Sequence, residues 1–183
     1  MDADAVIEGP AEQYPYVSLA TGDLDADGND DLLIGAYGAS AAVSIVLGPV
    51  YGNLSTGDAR GDGDGDALLV GAEDSNAGSS VTAGDLDGDG VDDVLVGACR
   101  LGGGSAPDSG AARLVLGPVL GTRDLTAADA TLTVASAYAY LGEQLATGDL
   151  DGDGALDVVA TWWWEGENDS GAAETHIFHG GTP

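Results

Sequence analysis

The chain has 183 residues, of which 44% are hydrophobic, and 32 acidic against 4 basic residues give it a formal net charge of −28. The hydrophobic content fits a folded globular domain better than a disordered acidic tail. The negative charge argues against nucleic acid and anionic membrane surfaces as partners, because both would repel it. The sequence contains no run of 18 apolar residues, so we expect no membrane insertion.

One acidic stretch recurs three times along the chain. Asp23 and Asp85, which begin the first two copies of its aspartate series, are 62 positions apart, and Asp85 and Asp149 are 64 positions apart. A repeat of this length predicts three consecutive copies of one structural unit that together span the chain as a single segment, 1–183. We place the units at about 1–54, 55–121 and 122–183. The copies read GDLDADGNDDLLIGA at 22–36, GDLDGDGVDDVLVGA at 84–98 and GDLDGDGALDVVATW at 148–162.

Short apolar runs surround each acidic stretch. In the first unit they are Ala5–Glu8, Val17–Ala20, Asp31–Gly35 and Val43–Gly48, and equivalent runs recur in the other two units. The runs are rich in Val, Leu and Ile and end at Gly, Pro, Asp or Ser, whereas no segment of ten or more residues has a convincing helical period. The third run is apolar at successive positions, which indicates that both of its faces are covered. The sequence therefore predicts an all-β fold with three β-propeller blades of four antiparallel strands each.

The acidic stretches have the composition of metal-binding loops. Aspartates occupy positions 1, 3, 5 and 9 of each loop, and a glycine at position 6 permits a sharp turn with positive φ. Carboxylates this close would repel one another without a cation, and an all-oxygen ligand set with no His or Cys nearby favours calcium over zinc or copper. We expect one Ca²⁺ per loop, with position 7 offering its backbone carbonyl. The predicted ligands are Asp23, Asp25, Asp27, Asn29 and Asp31; Asp85, Asp87, Asp89, Val91 and Asp93; and Asp149, Asp151, Asp153, Ala155 and Asp157.

Aromatic and histidine residues follow the third loop. Trp162–Trp164 stands where the other units have Ala36-Tyr37-Gly38 and Ala98-Cys99-Arg100. We expect these rings to pack between blades or across an oligomer contact. A stacking platform for a sugar is the alternative. His176 and His179 lie on the last predicted strand and align with Leu or polar residues of the other units, so we expect both to be strand-surface residues.

The spacing of the aspartates and the residues around each loop distinguish between known families of calcium-binding loops. An EF-hand needs an acidic residue at position 12 and flanking helices, but Ile34, Val96 and Ala160 stand there and the flanks are predicted strands. Thrombospondin-type repeats need many disulfides, and this chain has one cysteine. The pattern resembles the FG-GAP repeat of the integrin α-subunit β-propeller, in which Phe-Gly precedes and Gly-Ala-Pro follows an Asp-x-Asp-x-Asp-Gly-x-x-Asp loop.

The flanking signatures of that repeat are looser in this chain than the loop itself. The Phe-Gly place holds Pro15-Tyr16, Ala77-Gly78 and Leu141-Gly142. The Gly-Ala-Pro place holds Gly35-Ala36-Tyr37, Gly97-Ala98-Cys99 and Thr161-Trp162-Trp163. The resemblance implies a propeller whose loops are made rigid by calcium. These departures weaken any transfer of an integrin partner-binding surface to this chain.

The predicted function is a calcium-binding, integrin-like scaffold for extracellular protein binding or adhesion, not an enzyme. The alternatives are a lectin-type propeller that uses Trp162–Trp164, and the propeller part of a secreted hydrolase. Open oxygen-rich sites of this kind fill only at millimolar calcium, which places the protein outside the cytosol. Three blades do not close a ring and leave sheet edges exposed, so we expect two chains to associate, unless the chain is a piece of a longer protein.

Overall fold

The computed structural model describes residues 4–8, 17–36, 41–55, 67–102, 107–164 and 172–181. Within these ranges the chain forms strands and one turn of 3-10 helix at Leu125–Ala127, with no α-helix, so the all-β prediction is confirmed. The strands are β1 (Ala5–Glu8), β2 (Val17–Gly22), β3 (Asp31–Ala36), β4 (Ala42–Val46), β5 (Gly52–Ser55), β6 (Ala67–Val70), β7 (Ala77–Gly84), β8 (Asp93–Ala98), β9 (Ala111–Val115), β10 (Gly121–Asp124), β11 (Ala130–Thr133), β12 (Gln144–Gly148), β13 (Asp157–Trp164) and β14 (Ala172–Phe178).

Three antiparallel sheets follow one another along the chain, each built around one acidic loop. Blade one has the order β6-β4-β3-β2, with β10 added in parallel to the outer edge of β6. Blade two has the order β11-β9-β8-β7, and blade three consists of β12, β13 and β14. Strands β1 and β5 form a separate parallel pair. The sheets are blade-like, as predicted, with four antiparallel strands in blades one and two and three described strands in blade three.

The outer strand of each complete blade comes from the following sequence repeat. Ala67–Val70, the run that begins the second predicted unit, is the fourth strand of blade one and pairs antiparallel with β4. Ala130–Thr133 plays the same part in blade two, against β9. The sheets therefore extend across the predicted unit limits near residues 54 and 121. Those limits describe where the sequence repeats, and the limits of the sheets lie elsewhere. Residues 56–66, the linker before β6, lie outside the described residues.

A single apolar core joins blades one and two. Leu33, Val43 and Ile45 of blade one are fully buried and belong to the same cluster as Val94 and Val96 of blade two. All six residues of β8 are buried, as expected for a strand covered on both faces, whereas buried and half-buried residues alternate along β3. Burial of this kind supplies the main driving force that holds neighbouring blades together.

Glycines allow adjacent blades to approach each other closely. A Cβ at Gly35 would collide with Gly78 of the next blade, and a Cβ at Gly97 would collide with the carbonyl of Gly142. Each junction also carries a hydrogen bond. Ser18 Oγ donates to the Gly78 carbonyl at 2.8 Å, and Ser79 Oγ donates to the Gly142 carbonyl at 3.1 Å. The two junctions are therefore built alike.

Blade three departs from this arrangement. Thr161 occupies the position of Gly35 and Gly97, so blade three has a side chain where the other two blades have only backbone. The next residue, Trp162, stacks on His176 with ring centroids 3.7 Å apart. A further blade could not dock against blade three through the same glycine contact.

The glycine junction gives a direct stability prediction. Gly97→Ala should lower the free energy of unfolding by about 1 to 3 kcal/mol, because its methyl group would force blades two and three apart. Gly148→Ala is the matched control, since a Cβ there meets no atom within 4 Å and the backbone is not left-handed. Urea denaturation followed by Trp fluorescence measures both. Equal midpoints for the two variants would contradict close packing at Gly97.

Candidate metal centre

Each acidic loop closes a hairpin between two paired strands. In blade one, Gly22 at the end of β2 lies opposite Asp31 at the start of β3. Gly84 lies opposite Asp93 in blade two, and Gly148 lies opposite Asp157 in blade three. This register brings position 1 of each loop close to position 9, although they are eight positions apart in the sequence. The antiparallel pairing thus gathers the ends of each aspartate series.

The glycine at position 6 makes the turn that folds the loop back. Its φ is +88° at Gly28, +92° at Gly90 and +92° at Gly154, which confirms the predicted left-handed conformation. In each loop this glycine donates its backbone N–H to the Oδ2 atom of the position 1 aspartate, at 3.0 to 3.1 Å. A residue with a Cβ would be sterically strained at this φ, so the backbone conformation of the turn requires glycine.

The aspartates at positions 3 and 5 stabilise the turn from their own side chains. Oδ1 of Asp25 accepts the N–H of Asp27 at 3.1 Å, and Oδ1 of Asp27 accepts the N–H of Asn29 at 2.8 Å. The same two bonds recur in the second and third loops. Local bonds of this kind, from an Asp side chain to the backbone two residues on, are typical of Asx turns. They fix the carboxylates without using all of their lone pairs.

The aspartate at position 9 is buried in every loop. Asp31 and Asp93 are 1% exposed and Asp157 is 0% exposed. In each case Oδ2 accepts the N–H of the leucine at position 2, at 2.8 to 2.9 Å. Oδ1 accepts the N–H of a glycine that follows the third strand of the blade, at 2.8 to 3.0 Å, and these glycines are Gly48, Gly117 and Gly180.

Carboxylate oxygens converge within each loop. Sets of three ligand atoms lie within 4.8 Å of one another, and the sets are Asp23, Asp25 and Asp27; Asp85, Asp87 and Asp93; and Asp149, Asp151 and Asp153. An all-oxygen set on a short loop fits a hard cation such as Ca²⁺. The residue at position 7 is not the same in the three loops. The Asn29 side chain donates to Asp27 Oδ1 at 3.0 Å, while Val91 and Ala155 offer only backbone oxygens. The ion and its full ligand set stay a prediction.

Burial raises the pKa of Asp31 and of Asp93 above the usual value for a carboxyl group, and this effect outweighs the N–H bonds to each. Nearby loop aspartates raise both pKa values further, Asp25 and Asp23 for Asp31 and Asp87 for Asp93. A buried carboxylate in this position is costly in its charged form, and a cation among the aspartates would relieve that cost. In the third loop the N–H of Leu150 lowers the pKa of Asp157, with further lowering from Gly180 and His179.

The first two loops are bonded to each other. Asp92, at position 8 of loop two, accepts the N–H of Asp23 on its Oδ2 atom at 3.0 Å and donates its own N–H to the Asp23 carbonyl at 3.1 Å. Position 8 of loop three is Leu156, whose side chain lies against Gly84. The junction between loops one and two is therefore polar, and the junction between loops two and three is apolar.

His179 directly follows β14 and its side chain is 56% exposed, as expected of a surface residue, but it also lies beside the third loop. Its Nδ1 atom lies 3.2 Å from Asp157 Oδ1 and 3.4 Å from Asp151 Oδ2. His176 pairs instead with Glu174 at 3.0 Å. No local sequence pattern links His179 to Asp151 and Asp157, because the pairing of β13 with β14 brings them together.

Trp163, one of the aromatic residues after loop three, lines a cleft between blades two and three. Trp163 is 37% exposed and stacks on Tyr140 with ring centroids 5.0 Å apart. The cleft has a volume of about 450 Å³, and polar side chains complete its wall, among them Arg100 and Glu143. The backbone of Trp164 ends β13, and its side chain lies outside the described residues. The cleft lies at the opposite ends of the strands from the acidic loops.

Comparison with protein families finds the FG-GAP repeat at residues 16–53 and 77–112. These two ranges contain the first two acidic loops. The chain thus contains FG-GAP repeats, the repeat type of integrin α-subunit β-propellers, and the predicted resemblance is confirmed. Among the described residues no helix is long or apolar enough to cross a membrane.

Comparison with curated proteins finds relatives named phosphatidylinositol-glycan-specific phospholipase D. The rat protein is 32% identical over 168 residues, which are 84% of this chain and 20% of the relative. The bovine protein matches equally in identity and coverage, and the human protein is 32% identical over 157 residues, 80% of this chain and 19% of the relative. The chain therefore spans about a fifth of the length of these relatives.

The relatives overturn the expectation of a protein that is not an enzyme, because a phospholipase is an enzyme. The region matched in them is the FG-GAP region of this chain. At the coarser level the chain carries FG-GAP repeats in a blade-like all-β fold. Of the functions predicted from the sequence, the propeller part of a hydrolase agrees better with these relatives than an adhesion scaffold does.

The buried aspartates provide a test of how the loops are held. Asp93→Asn should destabilise the protein by about 1 to 3 kcal/mol, because an amide can accept only one of the two N–H bonds from Leu86 and Gly117 and leaves the other donor unpaired. Asp74→Asn is the control, since Asp74 is exposed and has a φ of 59° that Asn adopts readily. Chemical denaturation in calcium-free buffer gives both values, and an unchanged stability of Asp93→Asn would show that the paired N–H bonds contribute little.

Proposed function

We propose that this chain is the propeller part of a secreted hydrolase that acts on glycan-bearing phospholipid. In this proposal the propeller contributes substrate recognition through the cleft between blades two and three, and calcium ions hold its hairpins. The observation that carries the proposal is the match of most of this chain to proteins named phosphatidylinositol-glycan-specific phospholipase D. An adhesion scaffold explains the repeat type but not these relatives.

Calcium has a structural role in this proposal. Each loop carries four aspartates on a hairpin, and the buried position 9 carboxylate has no basic side chain to neutralise it in loops one and two among the described residues. An ion bound only by the folded state stabilises that state by mass action. Sites of this open kind bind calcium with affinities of roughly 10⁻⁴ to 10⁻³ M, so they fill where calcium is millimolar. The need for millimolar calcium supports secretion of the protein.

The chemistry of the cleft supports recognition of a phosphorylated glycan. Aromatic rings such as Trp163 give an apolar face on which a sugar ring can stack, and Asn76 and Gln144 offer hydrogen-bonding groups for hydroxyls. Arg100 is one of only four basic residues in the chain, and it lies in this cleft. A guanidinium group pairs well with phosphate. Glu143 adds an acceptor for a sugar hydroxyl.

The ring in this proposal is completed by blades that the chain does not itself supply. The outer edge of β14 pairs with no described strand, and β1 lies apart from the three blades with β5 as its partner. The further blades come from other parts of a longer protein or from a second copy of this chain. The self-association of two chains stays a prediction.

Calcium binding is tested by thermal unfolding. Adding calcium to ten times the dissociation constant should stabilise the chain by about 1.4 kcal/mol per filled site, or raise the melting temperature by about 3 to 6 °C per site. Magnesium at the same concentration is the ion control, because its stricter octahedral geometry suits these loops less well. Asp87→Asn should reduce the calcium effect. A melting temperature that is the same in calcium and in EGTA would contradict the structural role.

Substrate recognition is tested with vesicles that carry a glycosylphosphatidylinositol-anchored reporter protein. We expect the chain to sediment with these vesicles and not with vesicles of the same phospholipid without the anchor. Trp163→Ala and Arg100→Gln should each weaken this binding by about tenfold or more, because each removes a contact in the cleft. Release of the reporter in the same samples shows whether hydrolysis accompanies binding.

Tyr51→Ala is the matched control for these variants. Tyr51 is 76% exposed and does not line the cleft, so its replacement should leave binding unchanged. Circular dichroism of all three variants excludes misfolding as the cause of a loss. Equal sedimentation with both kinds of vesicle, or equal loss in Tyr51→Ala, would contradict the proposal.

A further inference from the structure

The third acidic loop differs from the first two in one residue of its surroundings. In every blade the buried position 9 aspartate accepts an N–H from the glycine after the third strand. The residue directly before that glycine is Leu47 in blade one, Leu116 in blade two and His179 in blade three. An imidazole therefore replaces an apolar side chain at a structurally equivalent place, next to the acidic loop.

The imidazole nitrogen and two carboxylates form a compact group of donor atoms. His179 Nδ1 lies 3.2 Å from Asp157 Oδ1 and 3.4 Å from Asp151 Oδ2, and the three ligand atoms all lie within 4.8 Å of one another. Zinc is bound by nitrogen and oxygen at about 2.0 to 2.2 Å, so neighbouring ligands in a tetrahedral site are about 3.3 Å apart. The two distances from the imidazole already match such an arrangement.

The support behind these donors limits their movement. Asp157 is fully buried, and the N–H groups of Leu150 and Gly180 hold its two oxygens at 2.8 and 3.0 Å. Asp151 Oδ1 accepts the N–H of Asp153 at 3.1 Å, which leaves Oδ2 as the atom facing the histidine. Bonds to the groups that carry metal ligands orient those ligands and tighten metal binding.

The nitrogen donor changes which ion the loop prefers. Calcium and magnesium take oxygen ligands, whereas imidazole suits zinc, copper, iron and nickel. Zinc and other first-row transition metals bind mixed sets of imidazole nitrogen and carboxylate oxygen, and a site with three protein ligands leaves a position open for water. The first two loops have only oxygen donors in their described sets.

We infer that Asp151, Asp157 and His179 form a binding site for a divalent transition-metal ion such as Zn²⁺, separate in selectivity from the calcium sites of loops one and two. This goes beyond the proposed function, in which calcium alone fills the loops. The ion ties the end of β14 to the third loop, in the blade that has three described strands.

Cobalt titration tests the site, because Co²⁺ follows zinc in its ligand preferences and absorbs visible light according to its coordination. The full chain is prepared without a histidine tag and titrated in excess calcium, which occupies loops one and two and competes with cobalt at the oxygen set of loop three. We expect one Co²⁺ per chain, and His179→Leu should weaken its binding by about tenfold or more. Leu stands at the equivalent position in blades one and two, so the variant should fold.

His176→Leu is the matched control. This second histidine lies on the same strand but pairs with Glu174, so its loss should leave cobalt binding and the spectrum unchanged. Leu116→His is the reciprocal variant and should add a second site in loop two. Unchanged cobalt affinity in His179→Leu, or an equal loss in His176→Leu, would overturn the inference. His179 would then only form an ion pair with the loop.

The same variants separate this inference from the calcium proposal. His179→Leu retains loops one and two, so its melting temperature should still rise on addition of calcium. A calcium response without a cobalt site would overturn only the transition-metal inference. Cobalt binding without any calcium response would overturn only the structural role of calcium.

Discussion

The structure depends above all on a buried carboxylate that holds each hairpin in its blade. Asp31, Asp93 and Asp157 each accept one N–H from the start of their own loop and one from the end of the third strand. The acidic loop is thereby tied to two strands of its sheet. Burial makes the charge costly at Asp31 and Asp93, and a cation in the loop offsets that cost. The fold and the proposed ion site therefore use the same side chain.

Stacking of the blades depends on a second constraint, the absence of side chains where two backbones meet. Gly35 and Gly97 each leave room for the glycine of the next blade, and a serine hydroxyl closes each junction. At the same place blade three has Thr161 followed by stacking aromatics. Blade three thus offers the next partner a different surface, at the same end of the sheets as the cleft. The acidic loops lie at the other end, so an ion there could stabilise the blades without occupying the cleft.

The repeat itself was predictable from the sequence because each requirement is local. An aspartate series with a glycine at position 6 specifies the turn whatever surrounds it, and the structure gives Gly28 and its equivalents the predicted positive φ. The apolar runs likewise specified strands and the all-β class. The outer strand of each blade was not predictable in this way. Ala67–Val70 belongs by sequence period to the second unit, but it pairs with β4 of the first because strand pairing depends on contacts across the sheet.

What the sequence determined by itself is therefore the loop, the strands and the repeat type, since all three are encoded within a few consecutive residues. Tertiary structure alone decided which distant residues meet. His179 is 28 positions from Asp151, and no local pattern shows that β13 and β14 bring them to 3.4 Å. Arg100 and Trp163 come from different repeats and share a cleft only because two blades stack. Side chains that converge across sheets are set by packing, and a single repeat does not contain that information.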